Sequence, residues 1–468
     1  MNLHDHKILK SLGELADQQK FEVYVVGGFV RDFYLKRSRN EMDFVVVGDG
    51  IQFAELVARR FKLPKPVVYR NFGTAMLSWD GMQLEFVGAR RENYRGDSRK
   101  PDVAPADLAT DLSRRDFTIN AMAFALNRSG FGALVDPFNG RKDLEARIIR
   151  TPLEPQTTFS EDPLRIMRAI RFAIELGFEI EPETFRGLAE MRDRLSIVSQ
   201  ERISDELLRI LAAPQPGKGF ELLDQAGVLV LILPEIAALK GVEEYEGYQH
   251  KDVFNHTLMV LNNLAQMSEK IPLRLAALFH DVAKPRTKEF KPGKGWTFHG
   301  HEELGARMLP SIFRRLKLPM DWMKYVQKLT RLHLRPIALT EEECTDSAYR
   351  RLLFQSGEDL EDLLMLCRSD ITSGNVKRRQ RHMANFDFVV RRLNEVEEKD
   401  RMRSFQSPVR GDEIMAICGI PPGPLVGRLK SAIEEAILDG QIPNEHDAAR
   451  DYLLSIKDAV MVEPAAKK

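Results

Sequence analysis

Short apolar runs alternate with helical patterns through residues 1–140. Residues 1–20 have helical spacing, and the runs FEVYVV and EMDFVVV are β-branched segments typical of strands. IQFAELVARRF returns to helical spacing. Two further strands fit VVYRNFGTAMLSW and MQLEFVGA, joined by Asp80-Gly81, a strong hairpin signal. The pattern predicts a small mixed α/β unit.

After Asp136-Pro137 the pattern changes to helices separated by proline and glycine. The segment GKGWTFHGH, residues 293–301, is predicted to be a loop that carries two histidines. The expected fold class is therefore α+β, with a small mixed-sheet domain at the start of the chain and helical domains after it.

Length and composition indicate a globular chain of several domains. The chain has 468 residues, 43% of them hydrophobic, with 69 basic and 69 acidic residues. With zero formal net charge, any nucleic-acid contact must come from local basic faces. The three cysteines form no CxxC pair, which argues against a disulfide framework or a thiolate zinc site. The polar N-terminus and the shortness of the apolar run 228–233 predict a cytoplasmic protein without membrane contact.

Two carboxylates, Glu41 and Asp43, lie two residues apart on a predicted strand. Strand residues at this spacing share one face, and Glu85 on a neighbouring predicted strand is the natural third acid. Carboxylates grouped after a Gly-Gly turn suit Mg²⁺ held against a nucleoside triphosphate. The alternative is that both are ordinary solvent-facing strand residues.

Five short blocks share their order and spacing with a known family. They are GGFVRD (27–32), EMD (41–43), RRDFTINAMA (114–123), EDPLR (161–165) and ERI (201–203). Together they resemble class II tRNA nucleotidyltransferases and bacterial poly(A) polymerases. One departure is visible, since the family usually has Asp where this chain has Glu41.

The resemblance implies template-independent addition of C and A to the 3′ end of tRNA, with CTP, ATP and Mg²⁺. The implied catalytic and metal-binding carboxylates are Glu41, Asp43 and Glu85. The implied nucleotide-binding residues are Gly27, Gly28, Arg31, Arg115, Asp116, Asn120, Asp162, Arg165 and Arg168. Asp32 would help to hold the nucleotide-binding turn or form an ion pair at the helix start.

The chemistry of Asp162 and Arg165 supports a role in choosing the base. If both lie on one helix, they are at i and i+3 and share a face. A carboxylate only accepts hydrogen bonds and a guanidinium only donates them, which matches the edges of C and A and rejects U and G. The alternative is a plain intrahelical ion pair. Arg168 and Arg171 follow Arg165 at helical spacing on the same face. They either reach phosphates or form a solvated face.

A second constellation consists of His256, the His280-Asp281 pair and Asp370. Their order resembles the HD superfamily of metal-dependent phosphohydrolases. His and Asp suit a divalent transition metal that activates water. Further candidate ligands are His299, His301 and His333. The alternative is a degenerate HD fold that serves only as a structural body.

The resemblances imply a catalytic head at 1–140, a helical neck with the EDPLR block at 141–245, an HD domain at 246–395 and a helical tail at 396–468. They leave other functions open. A poly(A) polymerase is disfavoured because the segment YRNFGTAM replaces a GRRF-type block. Addition of only CC or only A stays open. An HD phosphohydrolase with an RNA-binding head is disfavoured by the intact carboxylates. No pattern indicates the oligomeric state.

Overall fold

The structure is a computed structural model that describes residues 3–70, 73–93, 102–241, 244–245, 248–249, 252–340, 344–373, 375–400 and 407–462. Contacts between Cα atoms divide the chain into two compact units, Met1–Pro234 and Glu235–Lys468. Within the described residues, no helix is long and apolar enough to cross a membrane.

The first unit begins with a sheet domain and continues into helices. Its strands are β1 (Glu22–Val26), β2 (Glu41–Val47), β3 (Val67–Tyr69), β4 (Thr74–Trp79), β5 (Met82–Gly88), β6 (Arg90–Asn93), β7 (Asp102–Pro105), β8 (Ala123–Ala125), β9 (Leu134–Val135), β10 (Ile148–Ile149) and β11 (Glu179–Ile180). Its helices are α1 (Lys7–Gln19), α2 (Gly28–Tyr34), α3 (Gly50–Phe61), α4 (Leu108–Ser113), α5 (Gly140–Ala146), α6 (Pro155–Glu161), α7 (Leu164–Leu176), α8 (Pro182–Glu190), α9 (Gln200–Ala212), α10 (Pro216–Gln225) and α11 (Leu229–Ile232).

Seven strands form one mixed sheet in the order β3-β4-β5-β2-β1-β8-β9. The β2–β5 pair is parallel, and the other pairs are antiparallel. The inner strands β1 and β2 are rich in buried apolar residues, including Val25, Val26 and Val45. Phe44 on β2 stacks against Phe86 on β5, with ring centroids 4.8 Å apart. The mixed-sheet head and the helical remainder confirm the predicted fold class.

One predicted strand of the head was wrong. VVYRNFGTAMLSW forms two antiparallel strands, β3 and β4, because the chain reverses at Gly73, where φ is +62°. Asn71 and Phe72 lie outside the described residues. The Asp80-Gly81 hairpin is confirmed between β4 and β5, and both of its turn residues have positive φ.

The second unit is predominantly helical. Its helices are α12 (Pro234–Ala237, at the boundary), α13 (Val253–Ala265), α14 (Ile271–Phe279), α15 (Lys284–Thr287), α16 (His301–Arg315), α17 (Met320–Leu332), α18 (Arg335–Ala338), α19 (Asp346–Ser356), α20 (Leu360–Asp370), α21 (Val376–Asp400), α22 (Gly411–Cys418), α23 (Pro424–Leu438) and α24 (His446–Val462). Its strands are β12 (Glu244–Tyr245), β13 (Tyr248–Gln249), β14 (Glu289–Lys291) and β15 (Gly295–Thr297).

The apolar helix α14 lies at the centre of the second unit, against α13, α17 and α20. Residues from Leu273 to Phe279 are all buried, as expected for a helix covered on every side. The prediction of a loop at residues 293–301 was partly wrong. Gly295–Thr297 pairs with Glu289–Lys291 as a β-hairpin, and His301 begins α16.

Candidate active site and metal centre

The carboxylates of the head lie where β1, β2 and β5 run side by side. Asp43 on β2 is in register with Glu85 on β5 and with Val26, the last residue of β1. Asp43 and Glu85 are half-buried, whereas the side chain of Glu41 is 64% exposed. The sheet therefore brings Asp43 and Glu85 together as the sequence predicted, and Glu41 extends outward from the same strand.

The electrostatic surroundings show that the three acids influence one another. Burial raises the pKa of Asp43, with Arg115 and Arg39 opposing the rise and Glu41 adding to it. Burial also raises the pKa of Glu85, and the negative charge of Asp43 adds to the rise. Acids that repel one another in this way bind cations readily.

Glu41 is held by a hydrogen bond from an arginine. Arg39 Nη2 donates to Glu41 Oε2 at 3.1 Å, and Arg39 Nη1 donates to Asp32 Oδ2 at 3.3 Å. The oxygens of Glu41, Asp43 and Glu85 do not all come within 4.8 Å of one another. Arg39 was not among the predicted site residues, since nothing in a single cation before a strand points to this contact.

The turn after β1 requires glycine. Gly27 has φ of +68°, and a Cβ atom there would lie 2.9 Å from Arg115 Nη1 and 3.7 Å from Asp43 Oδ2. A side chain at this position would therefore displace the arginine beside the carboxylate. The turn leaves space directly over Asp43, which a phosphate group could fill.

A cleft of about 450 Å³ opens beside this turn. Eight arginines and four carboxylates line it, so its charge suits a polyanion. The lining residues are Gly27, Gly28, Arg31, Arg39, Asp43, Arg114, Arg115, Asp116, Asn120, Asp162, Arg165, Arg168, Arg171, Phe172, Glu175 and Arg209. The cleft gathers all nine of the predicted nucleotide-binding residues.

Asp116 anchors a buried polar network behind the cleft. Its Oδ2 accepts from Nε and Nη2 of Arg168 at 2.9 and 2.6 Å, and its Oδ1 accepts from Asn120 Nδ2 at 3.0 Å. Burial alone would raise the pKa of Asp116, but Arg168 and Asn120 outweigh it and hold the value at about 2. Arg31 Nη1 donates to Asn120 Oδ1 at 2.9 Å, which ties α2 to the same network. Arg31 also pairs with Asp32 at 2.9 Å.

Arg168 and Arg171 line the cleft in ion pairs rather than forming the solvated face that was one alternative, and contact with phosphates stays a prediction. Arg171 is buried, and its Nε donates to Glu206 Oε2 at 2.6 Å while its Nη1 donates to Glu175 at 2.7 Å. Arg168 pairs with Asp116, so neither side chain belongs to a solvated face. Glu206, on α9, was missed because its partner lies 35 residues earlier in the chain.

Asp162 and Arg165 do not share a helix. α6 ends at Glu161, Asp162 is extended with φ −134° and ψ 95°, and α7 begins at Leu164. The break follows from Pro163, which disfavours helical backbone in the residue before it. The two residues still line the same cleft.

The alternative of an intrahelical ion pair between these two residues is wrong, because each has other partners. Asp162 Oδ2 accepts from Arg202 Nη2 at 3.1 Å. Arg165 donates to Glu161 Oε2 at 3.2 Å and to the carbonyl oxygens of Thr158 and Arg114. Arg202 belongs to the ERI block and Arg114 to the RRDFTINAMA block, so hydrogen bonds connect the EDPLR block with two other motifs.

In the second unit, the four predicted HD residues converge. His256 Nε2 lies 2.8 Å from Asp370 Oδ1 and 3.6 Å from Asp281 Oδ2. His280 Nε2 lies 3.2 Å from Asp281 Oδ2 and 3.7 Å from Asp370 Oδ1. His256 lies on α13 and Asp370 is the last residue of α20, whereas His280 and Asp281 follow directly after α14.

Two of the additional histidines join the cluster. His301 Nε2 and His333 Nε2 lie 3.2 and 3.8 Å from Asp281 Oδ1, the oxygen opposite the one near His280. His256, His280 and Asp370 form one group with ligand atoms within 4.8 Å, and Asp281, His301 and His333 form another. His299 is exposed and is in neither group, so that candidate was wrong.

Hydrogen bonds orient all four histidines toward the centre. The Nδ1 atoms of His280, His301 and His333 each lie 2.7 Å from a backbone carbonyl oxygen, and Nδ1 of His256 lies 2.8 Å from Thr372 Oγ1. A carbonyl oxygen only accepts, so Nδ1 carries a proton in three of the rings and Nε2 is the atom that faces the cluster.

Several buried atoms of this cluster lack a hydrogen-bond partner. They are Nε2 of His280, His301 and His333 and Oδ1 of Asp281. Burial and the neighbouring His280 lower the pKa of His333 to about 4, which keeps its ring neutral. Buried ligand atoms that lack hydrogen-bond partners, arranged in the two groups above, fit divalent metal ions better than a purely structural role.

Comparisons with known proteins match domains in both units of the chain. Residues 23–150 match the profile of the poly A polymerase head domain, residues 177–240 match a probable RNA- and SrmB-binding site of polymerase A, and residues 253–368 match the HD domain. A CC-adding tRNA nucleotidyltransferase of Thermus thermophilus is 32% identical over 92% of this chain and 93% of its own. The chain belongs to the tRNA nucleotidyltransferase family.

Other family members carry different names. An A-adding tRNA nucleotidyltransferase of Deinococcus radiodurans is 33% identical over 74% of this chain and 78% of its own. A multifunctional CCA protein of Nitrosococcus oceani is 35% identical over 75% of this chain and 84% of its own. Among solved structures, a tRNA nucleotidyltransferase complexed with a primer tRNA and an ATP analog is 25% identical, with a TM-score of 0.59 over 82% of this chain and 99% of its own.

Proposed function

We propose that this tRNA nucleotidyltransferase adds C and A to the 3′ end of tRNA by metal-dependent nucleotidyl transfer from CTP and ATP. The observation that carries the proposal is the arginine-rich cleft beside Asp43, which combines a carboxylate edge, a glycine turn and the motif residues in one place. The CCA, CC-adding and A-adding relatives support the same chemistry.

Asp43 would hold Mg²⁺ at the edge of the sheet, with Glu85 beside it and Glu41 after its release from Arg39. Such an ion would neutralise charge on the transferring phosphoryl group. Arg115 lies beside Gly27 and Asp43, where it would bind the triphosphate. The floor of the cleft would be held rigid by the network of Arg31, Asn120, Asp116 and Arg168. These side chains would not move toward the nucleotide.

Asp162 and Arg165 would select the base. Arg165 is 7% exposed and fixed by two carbonyl oxygens, so its guanidinium is preorganised. Arg202 would orient the Asp162 carboxylate through their 3.1 Å hydrogen bond. A fixed acceptor and a fixed donor on one wall favour the edges of C and A over those of U and G.

We assign the roles of the domains as the sequence predicted them: a catalytic head at 1–140, a base-selecting neck at 141–245, an HD domain at 246–395 and a tail at 396–468. Within the HD domain, the His/Asp cluster would bind divalent metal and hydrolyse phosphoesters. The unsatisfied histidine nitrogens support metal binding there.

The test uses a tRNA that ends before its CCA sequence, incubated with CTP, ATP or both, followed by sequencing of the products. Full CCA addition requires both nucleotides and stops after three additions. Addition of two C residues only would identify a CC-adding enzyme, and extension with ATP alone on a primer ending in CC would identify an A-adding one. Long A tracts would favour a poly(A) polymerase and overturn the proposal.

A further inference from the structure

A pocket of about 410 Å³ lies directly beside the His/Asp cluster of the second unit. His256 and Asp370 form part of its wall. The rest is largely apolar, with Phe298 and Phe386 contributing aromatic rings, and Lys284 and Arg378 adding two cations. Flat apolar surfaces next to cations and a metal-type cluster suit a group that is part aromatic ring and part phosphate.

Helix α21 places a dense basic segment at this pocket. Four of the first six residues of the helix are cations, namely Lys377, Arg378, Arg379 and Arg381. All four are exposed. Arg378 lines the pocket beside His256 and Asp370, and Arg379 lines a neighbouring groove of about 540 Å³ that shares Thr372 with it.

This arrangement of charge is unfavourable for the helix by itself. The N-terminus of a helix carries partial positive charge, so cations in its first turns destabilise it. Among the residues that the structure describes, no carboxylate lies within salt-bridge distance of Lys377, Arg379 or Arg381, whereas Arg392 on the same helix pairs with Asp346 and Glu395. An anionic partner from outside the chain would offset this cost.

The first turn of α21 is nevertheless fixed in place. Asn375 Oδ1 accepts from the backbone N–H of Arg378 at 3.1 Å. Arg378 Nε in turn donates to His382 Nε2 at 3.3 Å, one helical turn later and also on the pocket wall. The basic segment therefore has a defined position relative to the pocket.

We propose that this surface binds the 3′-terminal stretch of a single RNA strand, with the last base in the pocket and the preceding phosphates on Lys377, Arg379 and Arg381. The inference rests on the proposed phosphohydrolase activity of the HD domain and names its substrate as a polynucleotide end rather than a free nucleotide. A single nucleotide would fill the pocket, but only a strand extends to three cations outside it.

The decisive comparison uses two substrates with the same reactive group. One is an eight-nucleotide RNA with a terminal phosphoester, and the other is the corresponding mononucleotide. The full chain carrying Lys377→Gln, Arg379→Gln and Arg381→Gln should show a KM for the RNA about tenfold higher, an unchanged kcat, and an unchanged KM for the mononucleotide. Each lost phosphate contact lowers the salt dependence of binding to a single strand by about 0.7, so log KM against log salt should lose a slope of about 2.

A matched control removes the same charge elsewhere on the second unit. It carries Lys324→Gln, Arg391→Gln and Arg450→Gln, all at exposed helical positions. Arg391 lies about 18 Å along α21 from Arg379, at 1.5 Å per residue. This control should keep the wild-type KM and salt slope. An unchanged KM for RNA in the α21 variant, or an equal rise for both substrates, would overturn the proposal.

A second readout does not depend on hydrolysis. The same RNA with 4-thiouridine as its last residue is crosslinked to the full chain, and the attached peptides are mapped by mass spectrometry. Crosslinks within residues 253–386 that disappear in the α21 variant support the proposal, whereas crosslinks confined to residues 1–234 refute it. If neither substrate is hydrolysed with any metal, the phosphohydrolase proposal fails, and this crosslinking result alone decides whether the surface binds RNA.

Discussion

The substitution Asp116→Asn tests whether the Asp116 carboxylate is ionised in the buried network behind the cleft and stabilises the fold. The pKa of Asp116 is about 2 instead of 3.8, because Arg168 and Asn120 outweigh the cost of burial. At about 1.4 kcal/mol per tenfold change in proton affinity, ionised Asp116 stabilises the fold by about 2 kcal/mol at neutral pH. The variant also leaves Arg168 facing a neutral amide, so we expect a total loss of about 2 to 4 kcal/mol.

The pH dependence has a definite sign. A carboxyl whose pKa is lowered by folding stabilises the protein above its unfolded pKa, near 4, and loses that contribution as pH falls toward 2. The difference between wild type and variant should therefore be full at pH 7 and shrink by about half of the ionisation contribution at pH 3.

The assay is urea unfolding followed by the fluorescence of Trp79 in a background with Trp296→Phe and Trp322→Phe. Trp79 is then the only tryptophan, and it reports on the first unit. The control is Asp205→Asn, an exposed acid on α9, which should change stability by less than about 0.5 kcal/mol. A loss below about 0.5 kcal/mol for Asp116→Asn at pH 7, or an equal loss at pH 3, would refute the assigned network.

Three further predictions concern activity. Asp43→Ala should lower nucleotide addition by roughly a thousand-fold or more without loss of stability, measured by single-turnover addition and by urea unfolding; near-normal addition would contradict its metal role. Asp162→Ala should raise misincorporation of UTP or GTP by roughly 5- to 150-fold, measured as ratios of kcat/KM, and uniformly slower addition would assign it a structural role. His280→Ala or Asp281→Ala should remove metal binding and phosphoester hydrolysis while sparing addition, measured by calorimetry and by both assays with Mg²⁺, Mn²⁺, Ni²⁺ or Co²⁺. Metal binding that survives both changes would contradict the HD assignment.

Local patterns predicted the strands β1, β2 and β5 of the head and the helix before the HD pair. The alternation in EMDFVVV gives β2 and places Glu41 and Asp43 on one face, and the apolar run before His280-Asp281 gives α14. These features depend on neighbours a few residues apart. The mixed-sheet fold and the convergence of the HD residues were predicted from the order of the motifs. Motif order indicates which distant residues come together in the family, but it gives no distances between them.

What the sequence could not predict were contacts between distant residues. Asp116 and Arg168 are 52 residues apart, and Asp162 and Arg202 are 40 apart, so no periodicity links them. The helix break before Pro163, in contrast, was predictable from a local rule. A residue that precedes proline disfavours helical backbone, so by this rule Asp162 does not continue the helix, although the motif pattern had suggested that it shares one with Arg165. The hydrogen bond from Arg39 to Glu41 also depends on a residue far from both in the strand pattern, Gly28. An added Cβ atom there would lie 2.1 Å from Arg39 Nη1 and would displace the guanidinium.

The most direct test of the central claim is a crystal structure of the full chain with Mn²⁺ and a non-hydrolysable CTP analogue, with Mn²⁺ located by anomalous scattering. The account predicts an anomalous peak bound by Asp43, the triphosphate beside Arg115, and the cytosine edge on Asp162 and Arg165. A nucleotide bound outside this cleft, or a cytosine that contacts neither Asp162 nor Arg165, would contradict it.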